Sequence, residues 1–187
     1  MKSKSRLTLR ALSEGAVFVA LAQILSMLKL YELPQGGSVT LCMLPIFIYC
    51  ARWGFGPGVL ASFVFGLLHL LVSGAYAWGW QSILGDYLLA YTALGLAGLC
   101  CKQKNGFFLG IVIGSLARFL VHWVVGATVW AEYMPDTFFG MTMHSPWFYS
   151  VLYNGSYMVI DMILCLIVGL LLWKPLGKFI RGEDLAR

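Results

Sequence analysis

Long apolar segments separated by short polar breaks limit what this chain can fold into. A run of about 20 apolar residues can cross a hydrocarbon layer roughly 30 Å thick as a helix, whereas a membrane barrel needs short segments of alternating polarity. Only 11% of the 187 residues are charged, compared with about 25% in soluble domains. The sequence predicts an all-α integral membrane protein, with residues 1–187 forming one bundle of six transmembrane helices. The predicted spans are about 11–30, 39–52, 57–74, 83–101, 107–130 and 147–173.

The distribution of the basic residues predicts which side of the membrane each end of the chain lies on. Of the 13 Lys and Arg residues, eleven lie before the first span or after the second, fourth and sixth. Short cytoplasmic loops of membrane proteins are enriched in Lys and Arg. We therefore expect both termini to be cytoplasmic, and the net charge of +5 reflects topology and does not indicate a nucleic-acid partner.

Two helices carry polar and aromatic residues spaced by four, which places them along one helix face. On the fifth span these residues are Arg118, His122, Gly126 and Trp130. On the sixth they are Tyr149, Tyr153, Tyr157 and Asp161, with Asn154 beside them.

The two charged residues of these series are predicted to pair. Measured from Trp130 and Trp147 at a rise of 1.5 Å per residue, Arg118 lies about 18 Å and Asp161 about 21 Å into the membrane. An unpaired charge at such a depth costs about 3 kcal/mol on the mildest scale. We therefore expect an ion pair between Arg118 and Asp161.

Nearer the predicted outer surface, uncharged polar and aromatic groups converge with one acid. Asp86, at the start of the fourth span, could act as a helix cap or face the same space as His122 and Trp130. Gly126 could leave room for a flat ligand or permit close helix packing. A carboxylate and aromatic faces suit a flat heteroaromatic cation.

The sequence favours neither catalysis nor metal binding. The five cysteines lie in or at the ends of spans without C-x-x-C spacing, which predicts no metal site and no disulfide framework. No ATP-binding loop motif occurs in the sequence. An intramembrane enzyme would need a nucleophile or a metal cluster beside His122, and a purely structural protein would not need the aligned polar residues.

Five stretches together resemble a known family, the thiamine-specific substrate-binding subunits (S-components) of bacterial energy-coupling factor (ECF) transporters. They are EGAVFVALAQILS (14–26), FGLLHLL (65–71), GDYLLAYTALGLAGL (85–99), RFLVHWVVGATVW (118–130) and YSVLYNG (149–155).

The resemblance implies a multi-pass protein of the bacterial plasma membrane, in contact with lipid, that captures thiamine from outside and is not an enzyme. It implies no cofactor beyond the ligand. The implied partners are a transmembrane coupling subunit and two ABC-type ATPases, with Ala16 and Ala20 docking the coupling subunit. The implied ligand site comprises Tyr76, Asp86, Tyr87, His122, Gly126, Trp130, Tyr149 and Asn154.

By the same resemblance, Trp130 stacks on the aminopyrimidine ring of thiamine, while His122 and Asp86 bind its amine and ring nitrogens. Tyr149 and Asn154 are expected to hold the thiazolium end and its hydroxyethyl group.

Two departures from the family pattern leave an alternative open. Asp86 stands where glutamate is expected in many relatives, and the loop YELPQGGSV (31–39) has no tryptophan to cover a ligand. Tyr31 is the candidate for that role, with Gly36 and Gly37 as a hinge. The alternative function is an S-component for a related vitamin or a pyrimidine-type thiamine precursor.

Overall fold

Helices make up most of the structure, a computed structural model that describes residues 8–72 and 79–185. We number the six helical segments α1 (Leu9–Met27), α2 (Met43–Trp53), α3 (Phe55–Val72), α4 (Gly79–Cys100), α5 (Gly106–Thr128) and α6 (Pro146–Ile180). Two antiparallel hairpins pair β1 (Tyr31–Glu32) with β2 (Ser38–Val39) and β3 (Thr137–Phe138) with β4 (Met141–Thr142). Short 3₁₀ helices cover Ala131–Tyr133 and Glu183–Leu185.

Within the described residues, five helices are long and apolar enough to cross a membrane: α1, α3, α4, α5 and α6. Their outer faces expose large apolar side chains, such as Leu71 (72% exposed) and Leu171 (70%). A soluble monomer rarely exposes apolar surface so extensively. These faces are the ones that lipid covers.

The second predicted span differs from the structure. Residues 38 and 39 form β2, and α2 begins only at Met43. The 11 residues of α2 extend about 16 Å, and all of them except Trp53 are buried. A short helix that is apolar on every side belongs in the core of a bundle, and α2 is the central helix around which the longer helices pack.

The last helix is longer than predicted. It begins at Pro146, a residue suited to the first helical turn, and continues beyond Pro175 to Ile180. An internal proline removes one backbone hydrogen bond. Packing compensates for that loss, because Ile180 is completely buried.

An ion-pair network joins three elements at one end of the bundle, which we call the terminal end and define by Glu14, Arg52 and Asp184. The side chain of Arg52 is completely buried. It donates from Nε to Glu14 Oε2 (2.6 Å), from Nη2 to Asp184 Oδ2 (2.7 Å) and from Nη1 to the Phe179 carbonyl (2.7 Å). The network thereby fastens the chain after α6 to α1 and α2.

The helix α1 packs on the bundle with one face only. Gly15, Val19 and Ala22 are buried, whereas Ala16 and Ala20 are exposed. The two small residues predicted to dock a partner are therefore accessible.

Candidate ligand-binding site

A cavity of about 140 Å³ lies at the opposite end of the bundle, which carries both hairpins and which we call the hairpin end. One water molecule needs only about 10–15 Å³ of such space, so the cavity is large enough for a bound group. Seven of the predicted ligand residues line it: Asp86, Tyr87, His122, Gly126, Trp130, Tyr149 and Asn154. Tyr76 lies outside the described residues.

The carboxylate of Asp86 holds the site together. Asp86 lies in a stretch of α4 with π-helical turns, Ile83–Leu89, and such turns often occur at functional sites. Its Oδ1 is 2.9 Å from His122 Nδ1. Its Oδ2 accepts hydrogen bonds from Trp130 Nε1 (2.8 Å) and Ser82 Oγ (2.9 Å). Asp86 is therefore more than a helix cap, because it connects α4 to α5 and to the turn after α5.

The contact with Asp86 determines which nitrogen of His122 can receive a hydrogen bond. An ionised carboxylate only accepts, so Nδ1 carries the proton of a neutral ring and Nε2 is an acceptor. His122 Nε2 is buried and has no hydrogen-bond partner among the described residues. The imidazole lines the cavity with an acceptor still available.

The structure corrects one interpretation of Gly126. A Cβ atom there would lie 2.4 Å from Ser150 Oγ and 3.0 Å from Asn154 Nδ2. Although Gly126 lines the cavity, Ser150 and Asn154 fill the space beside it. Its missing side chain permits close packing of α5 on α6 and does not leave room for a flat ligand, as the first interpretation assumed.

Both polar atoms of the Asn154 side-chain amide form hydrogen bonds. Nδ2 donates to the Ser150 carbonyl (3.0 Å) and to the His122 carbonyl (3.3 Å), and Oδ1 accepts from Tyr157 OH (2.9 Å). These bonds fix the amide between α5 and α6.

The hairpin β1–β2 covers the cavity by bonding to polar residues of α6. Tyr149 OH donates to Gln35 Oε1, Gly37 N donates to Tyr153 OH (3.0 Å), and Thr40 N donates to Asp161 Oδ1 (2.8 Å). Tyr31 is 62% exposed and does not line the cavity. The expectation that Tyr31 covers the ligand is therefore wrong, and Gln35 lines the cavity instead.

The predicted ion pair between Arg118 and Asp161 is not formed. Among the described residues, the ion pairs within 4.0 Å do not include it. The guanidinium carbon of Arg118 instead lies 4.4 Å from the ring centre of Tyr91. Asp161 accepts from Thr40, and both charged residues are buried. The spacing along two helices predicts a shared depth but not the direction in which each side chain points.

Sequence reasoning missed several residues that line the cavity, namely Gln35, His69 and Tyr91. His69 lies 5.0 Å from Tyr91, measured between ring centres. A lone histidine in the apolar stretch FGLLHLL was the one signal that could have indicated α3 as a wall of the site.

Comparison with known proteins identifies the family. Residues 12–180 match the family model described as "Thiamine transporter protein". The chain belongs to this thiamine transporter family. It is 31% identical over 187 aligned residues to the thiamine transporter ThiT of Bacillus subtilis (strain 168), covering 92% of this chain and 94% of that protein. It is 29% identical over 145 residues to ThiT of Lacticaseibacillus paracasei, covering 67% and 68%.

Solved structures show the same fold. A structure of ThiT from Listeria monocytogenes superposes with a TM-score of 0.82 at 25% identity, covering 92% of this chain and 97% of that one. The S component of a bacterial ECF transporter superposes with a TM-score of 0.58 at 20% identity, covering 95% and 98%. This thiamine transporter family member is therefore a multi-pass protein of the bacterial plasma membrane that serves transport and is not an enzyme.

Proposed function

We propose that this chain is the S-component of an ECF transporter, which binds thiamine in the cavity at the hairpin end. The observation that carries the proposal is the Asp86 cluster. An acid, an imidazole and an indole from separate elements meet at one cavity in a member of the thiamine transporter family.

The chemistry of the cluster suits a flat cation with an amino-substituted ring. A carboxylate 4 Å from a positive charge contributes about 4 kcal/mol at an effective dielectric constant of 20. An aromatic face adds roughly 0.5–2 kcal/mol. Trp130 lines the cavity and is the residue proposed to supply this face, and His122 Nε2 can accept a hydrogen bond from the exocyclic amine of the pyrimidine.

Tyr149 and Asn154 are proposed to serve the other end of thiamine. Both line the cavity, but their polar groups are bonded to Gln35, Ser150 and Tyr157. Binding of the hydroxyethyl group therefore requires exchange of one of these bonds.

The topology proposed for this function has six membrane-embedded helices, with both termini in the cytoplasm and the hairpin end outside. Basic residues support this orientation, because Arg10, Arg52 and Arg181 all lie towards the terminal end. Thiamine would then enter from outside.

Delivery is proposed to use an energising module that consists of a transmembrane coupling subunit and two ABC-type ATPases. The exposed Ala16 and Ala20 on α1 support docking at that face, since small residues let membrane helices approach closely.

The decisive experiment is isothermal titration of the purified protein with thiamine, alongside the variants Asp86→Asn and Asp136→Asn. Asp136 is the matched control, because it is an exposed acid at the same end that does not line the cavity. We expect Asp86→Asn to weaken thiamine binding by about tenfold or more, since tenfold corresponds to only about 1.4 kcal/mol. Asp136→Asn should bind thiamine normally.

Absence of thiamine binding by the unaltered protein would refute the proposal. Titration with 4-amino-5-hydroxymethyl-2-methylpyrimidine tests the alternative function. Tighter binding of this pyrimidine than of thiamine would assign the chain to the precursor.

A further inference from the structure

The cavity extends deeper than the Asp86 cluster, to the side chain of Arg118. Arg118 lies one helical turn from His122, towards the terminal end, and is 6% exposed. Its Nε and Nη1 are buried and form no hydrogen bond with any described residue. A permanently charged group with free donors therefore borders the deep end of the cavity.

The contacts of Arg118 within the bundle leave this group incompletely satisfied. The guanidinium carbon lies 4.4 Å from the ring centre of Tyr91, and a cation–π contact of this kind does not satisfy the N–H donors. Buried donors almost always form hydrogen bonds, because a buried donor without a partner destabilises the protein. Charged residues inside membrane segments are rare and mark functional sites.

We propose that Arg118 is a further ligand-binding residue, which donates to an uncharged acceptor at the deep end of thiamine, directly or through one water molecule. This inference rests on the proposed function. The ring nitrogens and the hydroxyl oxygen of thiamine are acceptors of the required kind, and a guanidinium presents its donors in a fixed planar fork.

Arg118 also determines the orientation of the ligand. The cavity carries an acid, Asp86, towards the hairpin end and a guanidinium at its deep end. A cationic ligand is attracted by the first and repelled by the second. The thiazolium end of thiamine therefore lies towards the hairpin end, away from Arg118, and a neutral ring nitrogen of the aminopyrimidine faces Arg118.

The variants Arg118→Met and Arg118→Lys test the inference by isothermal titration with thiamine. Arg118→Met removes charge and donors, and we expect it to weaken thiamine binding by about tenfold or more. Arg118→Lys keeps the charge but loses the planar fork, so its affinity should lie between those of Arg118→Met and the unaltered protein.

Ser115→Ala is the matched control. Ser115 is buried three residues away on α5, and its Oγ also lacks a partner among the described residues, but it does not line the cavity. Thiamine affinity should stay within about twofold of the original for this variant.

Melting temperatures measured with and without thiamine separate ligand binding from a structural role. If Arg118 binds thiamine, the rise in melting temperature that thiamine produces should shrink in Arg118→Met, because a ligand stabilises in proportion to its affinity. If Arg118→Met lowers the melting temperature of the ligand-free protein but keeps the thiamine-induced rise, the inference is overturned. If Arg118→Met does not fold, Arg118→Lys provides the test. The inference is then overturned if Arg118→Lys binds thiamine as tightly as the unaltered protein does.

Two further outcomes are decisive. If the unaltered protein binds thiamine and Asp86→Asn weakens binding while Arg118→Met does not, this inference alone is wrong and the proposed function stands. Thiamine monophosphate is the anionic probe. If thiamine monophosphate binds more tightly than thiamine to the unaltered protein, but not to Arg118→Met, then Arg118 binds an anionic group. Binding of an uncharged acceptor by Arg118 is then excluded.

Discussion

Replacement of Gly126 by alanine should destabilise the bundle, because α5 packs tightly against α6 at this glycine. The added Cβ would lie 2.4 Å from Ser150 Oγ and 3.0 Å from Asn154 Nδ2. Ser150 cannot turn away freely, since its hydroxyl donates to the Trp123 carbonyl at 2.8 Å and accepts from Asn154 at 3.1 Å. The helices must separate, or these hydrogen bonds must break.

The size of the effect follows from two opposing contributions. Overpacking a tight contact costs about 1–3 kcal/mol, whereas alanine in place of glycine within a helix gains about 0.5–1 kcal/mol. The middle of each range gives a net destabilisation of about 1 kcal/mol. At roughly 2–4 °C per kcal/mol for a chain of this length, the melting temperature of Gly126→Ala should fall by about 2–4 °C.

Thermal unfolding in detergent, followed by intrinsic fluorescence, measures this change, and Gly155→Ala is the matched control. Gly155 lies on α6, where an added Cβ would meet only Phe119 Cε2 at 3.8 Å, an ordinary contact. Gly155→Ala should be as stable as the unaltered protein or more stable. Adding Ser150→Ala to Gly126→Ala removes the nearest atom but leaves Ser150 Cβ at 3.3 Å, so stability should recover in part.

The packing argument fails if Gly126→Ala melts at the same temperature as Gly155→Ala. Loss of thiamine binding with unchanged stability would show that Gly126 leaves space for the ligand after all. Lower stability in the ligand-free protein is the result that only the packing argument predicts.

Three other predictions test other parts of the structure. Arg52→Met should lower the free energy of unfolding by about 3 kcal/mol, because a buried ion pair is broken. Asp184→Asn should destabilise the protein less in thermal unfolding, since Asp184 is 42% exposed, and equal effects of the two variants would contradict the network. Tyr149→Phe and Gln35→Ala remove the same hydrogen bond, worth about 1 kcal/mol, and Gln35→Ala also removes the bond from Gln35 Nε2 to the Tyr133 carbonyl. The double variant should therefore be no less stable than Gln35→Ala alone, and additive losses would show that the shared bond is absent. A maleimide should label only one thiol of the folded protein, Cys101, because the other four cysteines are buried; labelling that persists in Cys101→Ser would contradict this burial.

The sequence was informative about which residues meet, because composition and spacing act over whole helices. Apolar length predicts a membrane bundle, and four-residue spacing aligns His122 with Trp130 on one side of the site. The position of Asp86 beside them was expected only from the start of the fourth span together with a family resemblance. The carboxylate does contact both residues.

The direction of each side chain could not be predicted in the same way. Tyr149 was expected to bind the ligand and Asp161 to pair with Arg118, yet Tyr149 bonds the β1–β2 hairpin and Asp161 bonds Thr40, the residue that follows it. The two strands of this hairpin have two residues each, too few for a periodic signal. Its contacts with α6 join residues more than 110 positions apart, and no local pattern records such a pairing.

The irregular course of α4 explains how one short carboxylate can serve the whole site. Gly85 precedes Asp86 within the π-helical stretch, and a Cβ on it would lie 2.5 Å from Val125 Cγ2. Absence of that carbon lets α4 approach α5 at the level where His122 and Trp130 project. An aspartate reaches one methylene less far than a glutamate, and the close approach of α4 to α5 at Gly85 lets the Asp86 carboxylate contact both His122 and Trp130. The contacts of Asp86 with His122 and Trp130 therefore depend on the close helix packing that Gly85 permits.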